Sequence, residues 1–147
     1  MNTPATPPAD HDNNHYGEAE AGQARSAAAV AVVDDVIQAV EDVALLLHQA
    51  ALAAWEIGDR EGITSELHYL GLGIYLAQGS AVGLLPTDHI ISQSWPLPVP
   101  PGETDPARIV RSAESRLRSI PAEAVHGLSD LVLEVCDLVR KFGEQDA

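Results

Sequence analysis

Apolar residues recur at alternating steps of three and four between Val33 and Ala54, and this spacing limits the possible folds more than any other feature. The positions are Val33, Val36, Val40, Val43, Leu47, Ala50 and Ala54. Alternating steps of three and four place all of them along one side of an α-helix. We find no useful length of the apolar and polar alternation that is typical of strands. The sequence therefore predicts an all-α protein with a long first helix.

Three later segments repeat this spacing, at residues 63–84, 109–120 and 125–142. A break near Gly58 and Asp59 predicts a short turn, so the first two helices should form an antiparallel hairpin. Asp105 followed by Pro106 is a typical helix start. Pro121 either separates the last two helices or kinks one continuous helix. We expect an antiparallel bundle of about four helices, formed by a long helical hairpin and two C-terminal helices.

Composition divides the chain into a tail and one domain. Residues 1–22 are rich in Pro, Asp, Asn, Glu and Gly, so we expect a disordered tail. Residues 23–147 are predicted to form a single helical-bundle domain, since a chain of 147 residues is long enough for a real core. Within it, residues 86–103 contain five prolines, which predict an extended loop that crosses the bundle.

The second helix contains no Asp, Glu, Lys or Arg from Leu67 to Thr87, and four glycines punctuate this run. It is long enough to cross a bilayer, but its His, Tyr, Gln and Ser residues argue against a membrane. Each glycine inside a helix costs about 1 kcal/mol relative to alanine, so several together need a compensating contact. We expect a central helix whose glycine face, with Gly71, Gly79 and Gly83, meets other helices, a second subunit or a ligand.

Charge limits the class of partner. The chain has 22 acidic and 8 basic residues, and its formal net charge is -14. Nucleic acids and anionic membranes are disfavoured, because both are bound mainly through Lys and Arg. A basic protein is the favoured external partner. The chain has one cysteine, Cys136, and the N-terminus shows no secretory signal, so we expect a cytoplasmic protein.

Two charged surfaces are candidates for partner binding. Acidic residues cluster on the flank of the first helix opposite its apolar side, and arginines cluster on the third helix. Trp95 lies in the proline-rich loop and is a further candidate contact. A long hairpin in a small bundle leaves apolar flanks that a homodimer would cover. The predicted partner-binding residues are Asp34, Asp35, Glu41, Asp42, Trp95, Arg108, Arg111 and Arg118. The same charges could instead pair within one bundle.

A small-molecule pocket is the alternative. Aromatic and polar residues near the glycine face could line an apolar cavity with a few polar groups. The residues are Trp55, His68, Tyr69, Tyr75, Gln78 and Gly79. His48 and His68 should lie close together across the hairpin, but their spacing matches no metal or catalytic motif, so we predict no metal, no cofactor and no catalytic residue.

These features predict an acidic helical module that binds proteins, as a regulator, an adaptor or an inhibitor of a basic partner, and that forms homo-oligomers. The alternative is a helical bundle that binds or transforms a small apolar molecule beside the glycine face. We expect binding in preference to enzymatic activity.

Overall fold

The described residues of the computed structural model are 7–89 and 103–146, and side chains are described for residues 33–89 and 103–144. Four helices follow one another: α1 (Pro7–Glu61), α2 (Leu67–Gly83), α3 (Pro106–Arg118) and α4 (Leu128–Asp146). No strand occurs in these ranges. The predicted all-α bundle of four helices is therefore confirmed.

The chain divides into two units, residues 1–35 and residues 36–147. In the first unit, the described backbone is helical from Pro7 onward. The disordered tail that the sequence predicts for residues 1–22 stays a prediction.

The second unit contains the core, which the 3-4 spacing of all four helices builds. Its buried apolar residues include Val40, Val43, Leu47, Ala50 and Ala54 of α1, Leu70, Ile74, Ala77 and Ala81 of α2, Ile109, Val110, Ala113 and Leu117 of α3, and Leu128, Leu131, Val135, Leu138 and Phe142 of α4. α4 packs against both α2 and α3. The helical periodicity therefore identifies many of the residues that form the core, but Val33, the first residue of the predicted α1 series, is 54% exposed, and Leu131 and Leu138 lie off the predicted α4 series.

The turn between α1 and α2 lies later in the chain than the sequence predicts. α1 continues to Glu61, and Gly62 follows it with a φ of 116°. Many α-helices end at a glycine with positive φ, because glycine adopts this conformation without strain. Gly58 is buried inside α1, where the ring of His68 lies against it. Ile63, predicted to belong to the core, precedes α2 and is 93% exposed.

The C-terminal half contains two helices and no single kinked one. At the start of α3, the carboxylate of Asp105 accepts a hydrogen bond from the amide of Ala107 at 3.0 Å. This N-cap and the proline after it confirm the predicted start. Residues 119–127 are not helical, and Gly127, with a φ of 90°, directly precedes α4. α4 begins three residues later than Val125, where the apolar spacing starts.

One helical stretch among the described residues, Val33–Glu61, has the length and composition of a membrane-spanning helix. Half of its most apolar window is buried inside the fold. The central helix of a bundle has the same properties, because it is apolar on several sides.

Candidate functional site

Trp55 of α1 packs into α2 at Gly71. A Cβ atom on Gly71 would lie 2.4 Å from Nε1 of the Trp55 indole, so no larger residue fits there without a shift. The Trp55 Nε1–H donates to the backbone carbonyl of His68 at 3.4 Å, and the indole packs at a tilt on the ring of Tyr75. Gly71 therefore provides the close approach that joins the two helices of the hairpin.

The outer side of α2 is apolar and exposed. We define the α2 stripe as Tyr69, Leu72, Tyr75, Leu76, Gly79, Val82 and Gly83, all of which are exposed. Tyr69 is 78% exposed and Leu76 is 60% exposed. The Trp55 contact borders the stripe on the α1 side, and on the α4 side Ser80 Oγ donates to the carboxylate of Glu134 at 3.1 Å. The stripe contains no charged residue.

The two ends of the α2 stripe differ in size. Tyr69, Leu72 and Leu76 project from the N-terminal part, whereas Gly79 and Gly83 form the C-terminal part. Apart from the adjacent residues and backbone of α2 itself, no atom of the described residues lies within 4 Å of the position that a Cβ on either glycine would occupy. The stripe therefore presents three bulky side chains at its N-terminal end, whereas its C-terminal end combines two glycines with the smaller side chain of Val82.

The residues predicted to line a ligand pocket do not all face the same space. Trp55 and His68 are half-buried between α1 and α2, whereas Tyr69, Tyr75 and Gly79 lie on the exposed stripe. Tyr69 borders a cavity of about 500 Å³ whose other lining residues are Glu66, Leu70, Lys141 and Glu144. Gln78 is half-buried on α2.

The predicted acidic flank is largely used within the fold. Glu41 is 2% exposed, and its carboxylate lies 3.1 Å from Nε2 of His89. This placement corrects the expectation that Glu41 lines an outer surface, because α1 is covered on more sides than its 3-4 series alone, with His89 against this one. Asp42 is half-buried and pairs with Arg116 of α3 at 3.2 Å. Asp34 and Asp35 are exposed.

The predicted basic residues of α3 also differ in their surroundings. Arg118 pairs with Glu114 one turn earlier at 3.0 Å, and Arg108 lies 3.8 Å from Asp105. Arg111 is exposed and forms no ion pair with any residue that the structure describes. Pairing within the bundle therefore accounts for Asp42 and Arg116 but leaves Arg111 available. Trp95 lies outside the described residues.

The two histidines considered as a pair lie apart. His68 lies against Gly58, and its Nε2 is 3.1 Å from a carboxylate oxygen of Asp59. His48 is exposed on α1, ten residues before Gly58, and this separation is about 15 Å along the helix axis. In the part of the chain that the structure describes, no three His, Cys, Asp or Glu residues come together as metal ligands would. Cys136 is half-buried, with its thiol 3.9 Å from Arg118 Nη2.

Sequence reasoning missed Leu72, Leu76 and Val82 as site residues, although the signal was present. Tyr69, Leu72, Leu76, Gly79 and Gly83 follow steps of three and four, on the opposite side of α2 from the core residues Leu70, Ile74, Ala77 and Ala81. A helix with two apolar sides in a small bundle has more apolar surface than its own chain covers. Comparison of the chain with protein-family models, curated proteins and solved structures finds no match.

Proposed function

We propose that this chain is a helical protein-interaction module that acts through binding, as a regulator, an adaptor or an inhibitor, and that the α2 stripe is its main working surface. The observation that carries this proposal is the exposure of five large apolar side chains side by side on one helix: Tyr69, Leu72, Tyr75, Leu76 and Val82. Soluble monomers rarely expose contiguous apolar patches larger than a few hundred Å².

The composition of the stripe favours a protein as the bound partner. Interface centres are enriched in tyrosine and poor in charged residues, and the stripe has two tyrosines and no charge. A small-molecule site encloses its ligand in a concave cavity, whereas the stripe follows the convex side of a helix. Convex apolar helix surfaces are typically bound by a groove or by another helix.

The charged surfaces form a second candidate contact. The net charge of -14 favours a partner with basic residues, which would be attracted over a distance set by the salt concentration. Asp34 and Asp35 are exposed acids. Arg111 is available for the opposite pairing, with an acidic residue of a partner. Such charges would set the orientation and the association rate more than the affinity.

Site-specific photo-crosslinking in cells tests the module. Replacing Leu72 with p-benzoylphenylalanine puts a photoreactive group on the stripe. The same replacement at Leu133 is the control, because Leu133 is 69% exposed on α4. We expect irradiation to attach a protein chain at position 72 and not at position 133, as read by mass spectrometry of the adducts. Equal labelling at both positions, or a small molecule attached at position 72, would contradict the proposal.

A further inference from the structure

We propose that the α2 stripe binds the α2 stripe of a second copy of this chain, with the two helices antiparallel across a two-fold axis near Leu76. This inference rests on the proposed function, because it names the occupant of the same surface. Its support comes from the shape of the stripe, its lack of charge and the apolar area that it exposes.

The shape of the stripe is complementary to itself in the antiparallel direction. Leu76 is the midpoint between Tyr69 and Gly83. Reversing one copy about this point sets the bulky end of each helix, with Tyr69 and Leu72, against the bare end of the other, with Gly79 and Gly83. No described residue outside the local helix lies within 4 Å of a Cβ placed on either glycine, so a side chain from outside can approach them. A parallel pair would instead set Tyr69 against Tyr69 and hold the glycine ends apart.

The charge pattern also favours a second copy. Two chains that each carry a net charge of -14 repel one another unless their contact surfaces are neutral. The run from Leu67 to Thr87 is neutral. The neighbouring carboxylate of Glu134 accepts a hydrogen bond from Ser80 at the border of the stripe. A basic partner would find no carboxylate on α2 to pair with, whereas a second α2 loses no ion pair by docking there.

The exposed apolar area is sufficient for a dimer centre. Five exposed Tyr, Leu and Val side chains, each contributing on the order of 100 Å², offer roughly 500 Å² per copy. A standard interface buries about 800 Å² per partner. The stripe would therefore form the apolar centre of such an interface, and residues that border it would form the rim. Each interior glycine also lowers the stability of the helix by about 1 kcal/mol relative to alanine, and close contact with a second helix would offset this cost.

Sedimentation equilibrium of the purified full chain tests the pairing. We expect twice the 15.6 kDa mass of one chain for the wild type and for Leu133→Glu, and the mass of one chain for Leu76→Glu. Both leucines are more than half exposed, so neither change should alter the circular dichroism spectrum. A wild type that remains monomeric overturns the inference. A dimer that survives Leu76→Glu overturns the α2 interface.

Disulfide formation tests the direction of the helices. In a Cys136→Ser background, Leu76→Cys places a thiol at the proposed axis, and its counterpart lies directly opposite. Tyr69→Cys places the two thiols about 21 Å apart along the antiparallel helices, given a rise of 1.5 Å per residue. We expect rapid oxidation to a covalent dimer only at position 76. Oxidation at both positions would indicate parallel helices and overturn the proposed geometry.

The two proposals can fail separately. A monomeric purified chain that still attaches a different protein at position 72 in cells would refute self-pairing and keep the interaction module. A monomeric chain with no protein adduct at position 72 would refute both. A segment of the same chain that covers the stripe would produce an intramolecular adduct, which also overturns self-pairing.

Discussion

The four glycines of α2 fall into two pairs with opposite surroundings. Gly71 and Gly73 meet the rest of the bundle: a Cβ would lie 2.4 Å from Trp55 at Gly71 and 3.2 Å from Leu138 Cδ2 at Gly73. Around Gly79 and Gly83, no described residue beyond the local helix comes within 4 Å of a Cβ position. Each glycine lowers helix stability by a similar amount. The chain itself compensates this cost for the first pair only, which is why the second pair points to a partner.

The largest expected effect is that of Gly71→Ala. Alanine favours the helix by about 1 kcal/mol, but its methyl group would overlap the Trp55 indole, and overpacking of this kind costs about 1–3 kcal/mol or more. The indole is held by its hydrogen bond to the His68 carbonyl and by Tyr75, so it does not move aside cheaply. We expect a net loss of about 2 kcal/mol in the free energy of unfolding, measured in urea.

A double mutant separates the steric overlap from other effects of Gly71→Ala. In a Trp55→Leu background the overlap is absent, so the same alanine should be neutral or should stabilise by up to about 1 kcal/mol. The sign of the change then depends on Trp55. A loss of the same size in both backgrounds would show that Gly71 is needed for another reason.

Gly79→Ala should have the opposite effect. Because no described residue outside the local helix lies within 4 Å of the new methyl group, only the helix preference of alanine remains, and we expect a gain of about 1 kcal/mol in the free energy of unfolding. The measurement should be made in the Leu76→Glu background, where self-association does not contribute to the free energy of unfolding. Destabilisation in that background would place an unseen neighbour against Gly79 within one chain and would abolish the contrast with Gly71.

The core could be predicted because it depends on local periodicity, whereas helix ends depend on single residues. The 3-4 spacing identified Val43, Leu47 and Ile74, since burial on one side of a helix needs only a repeated pattern. Gly58 and Gly62 both lie near the end of α1, and the sequence alone favoured the wrong one as its cap. Their roles differ through a tertiary contact, the His68 ring against Gly58, which the spacing does not encode.

The candidate site was predicted less well, because exposure depends on which of two apolar sides the bundle covers. Tyr69, Tyr75 and Gly79 were identified, but as the lining of a pocket, although they lie on an outer surface. Glu41 was assigned to an outer flank, although the rotation of α1 buries it beside His89. Periodicity gives the angle between residues on one helix. The direction in which that helix faces the others is a property of the whole bundle.

The arginines of α3 also differ in whether the bundle itself supplies a contact. Arg116 is half-buried and pairs with Asp42 of α1, whereas Arg111 is exposed without an ion pair among the described residues. We expect Arg116→Met to lower the free energy of unfolding by about 0.5 kcal/mol, since exposed and half-exposed pairs contribute little. Arg111→Met is the matched control and should cost nothing measurable. The Arg116 effect should shrink at high salt, and an effect that salt leaves unchanged would indicate lost packing instead of lost charge pairing.

The smallest expected effect concerns Asp137 of α4, where no packing is involved. A hydrogen bond from Lys141, whose Nζ lies 3.0 Å from the carboxylate, and a second one from Arg140 lower the pKa of Asp137 below its usual value. A lowered folded-state pKa means that the carboxylate stabilises the fold above the unfolded-state pKa. This contribution disappears as the pH falls through the folded-state pKa.

Lys141→Met should therefore raise the pKa of Asp137 in a carboxyl-detected NMR titration, and Arg140→Met should raise it less. If Arg140→Met had the larger effect, the order of the two hydrogen bonds would be wrong. If neither change moved the titration midpoint, these two ion pairs would be too loosely held to affect the pKa of Asp137. Close packing, as between Trp55 and Gly71, would then be the main difference between the buried and the exposed sides of the helices.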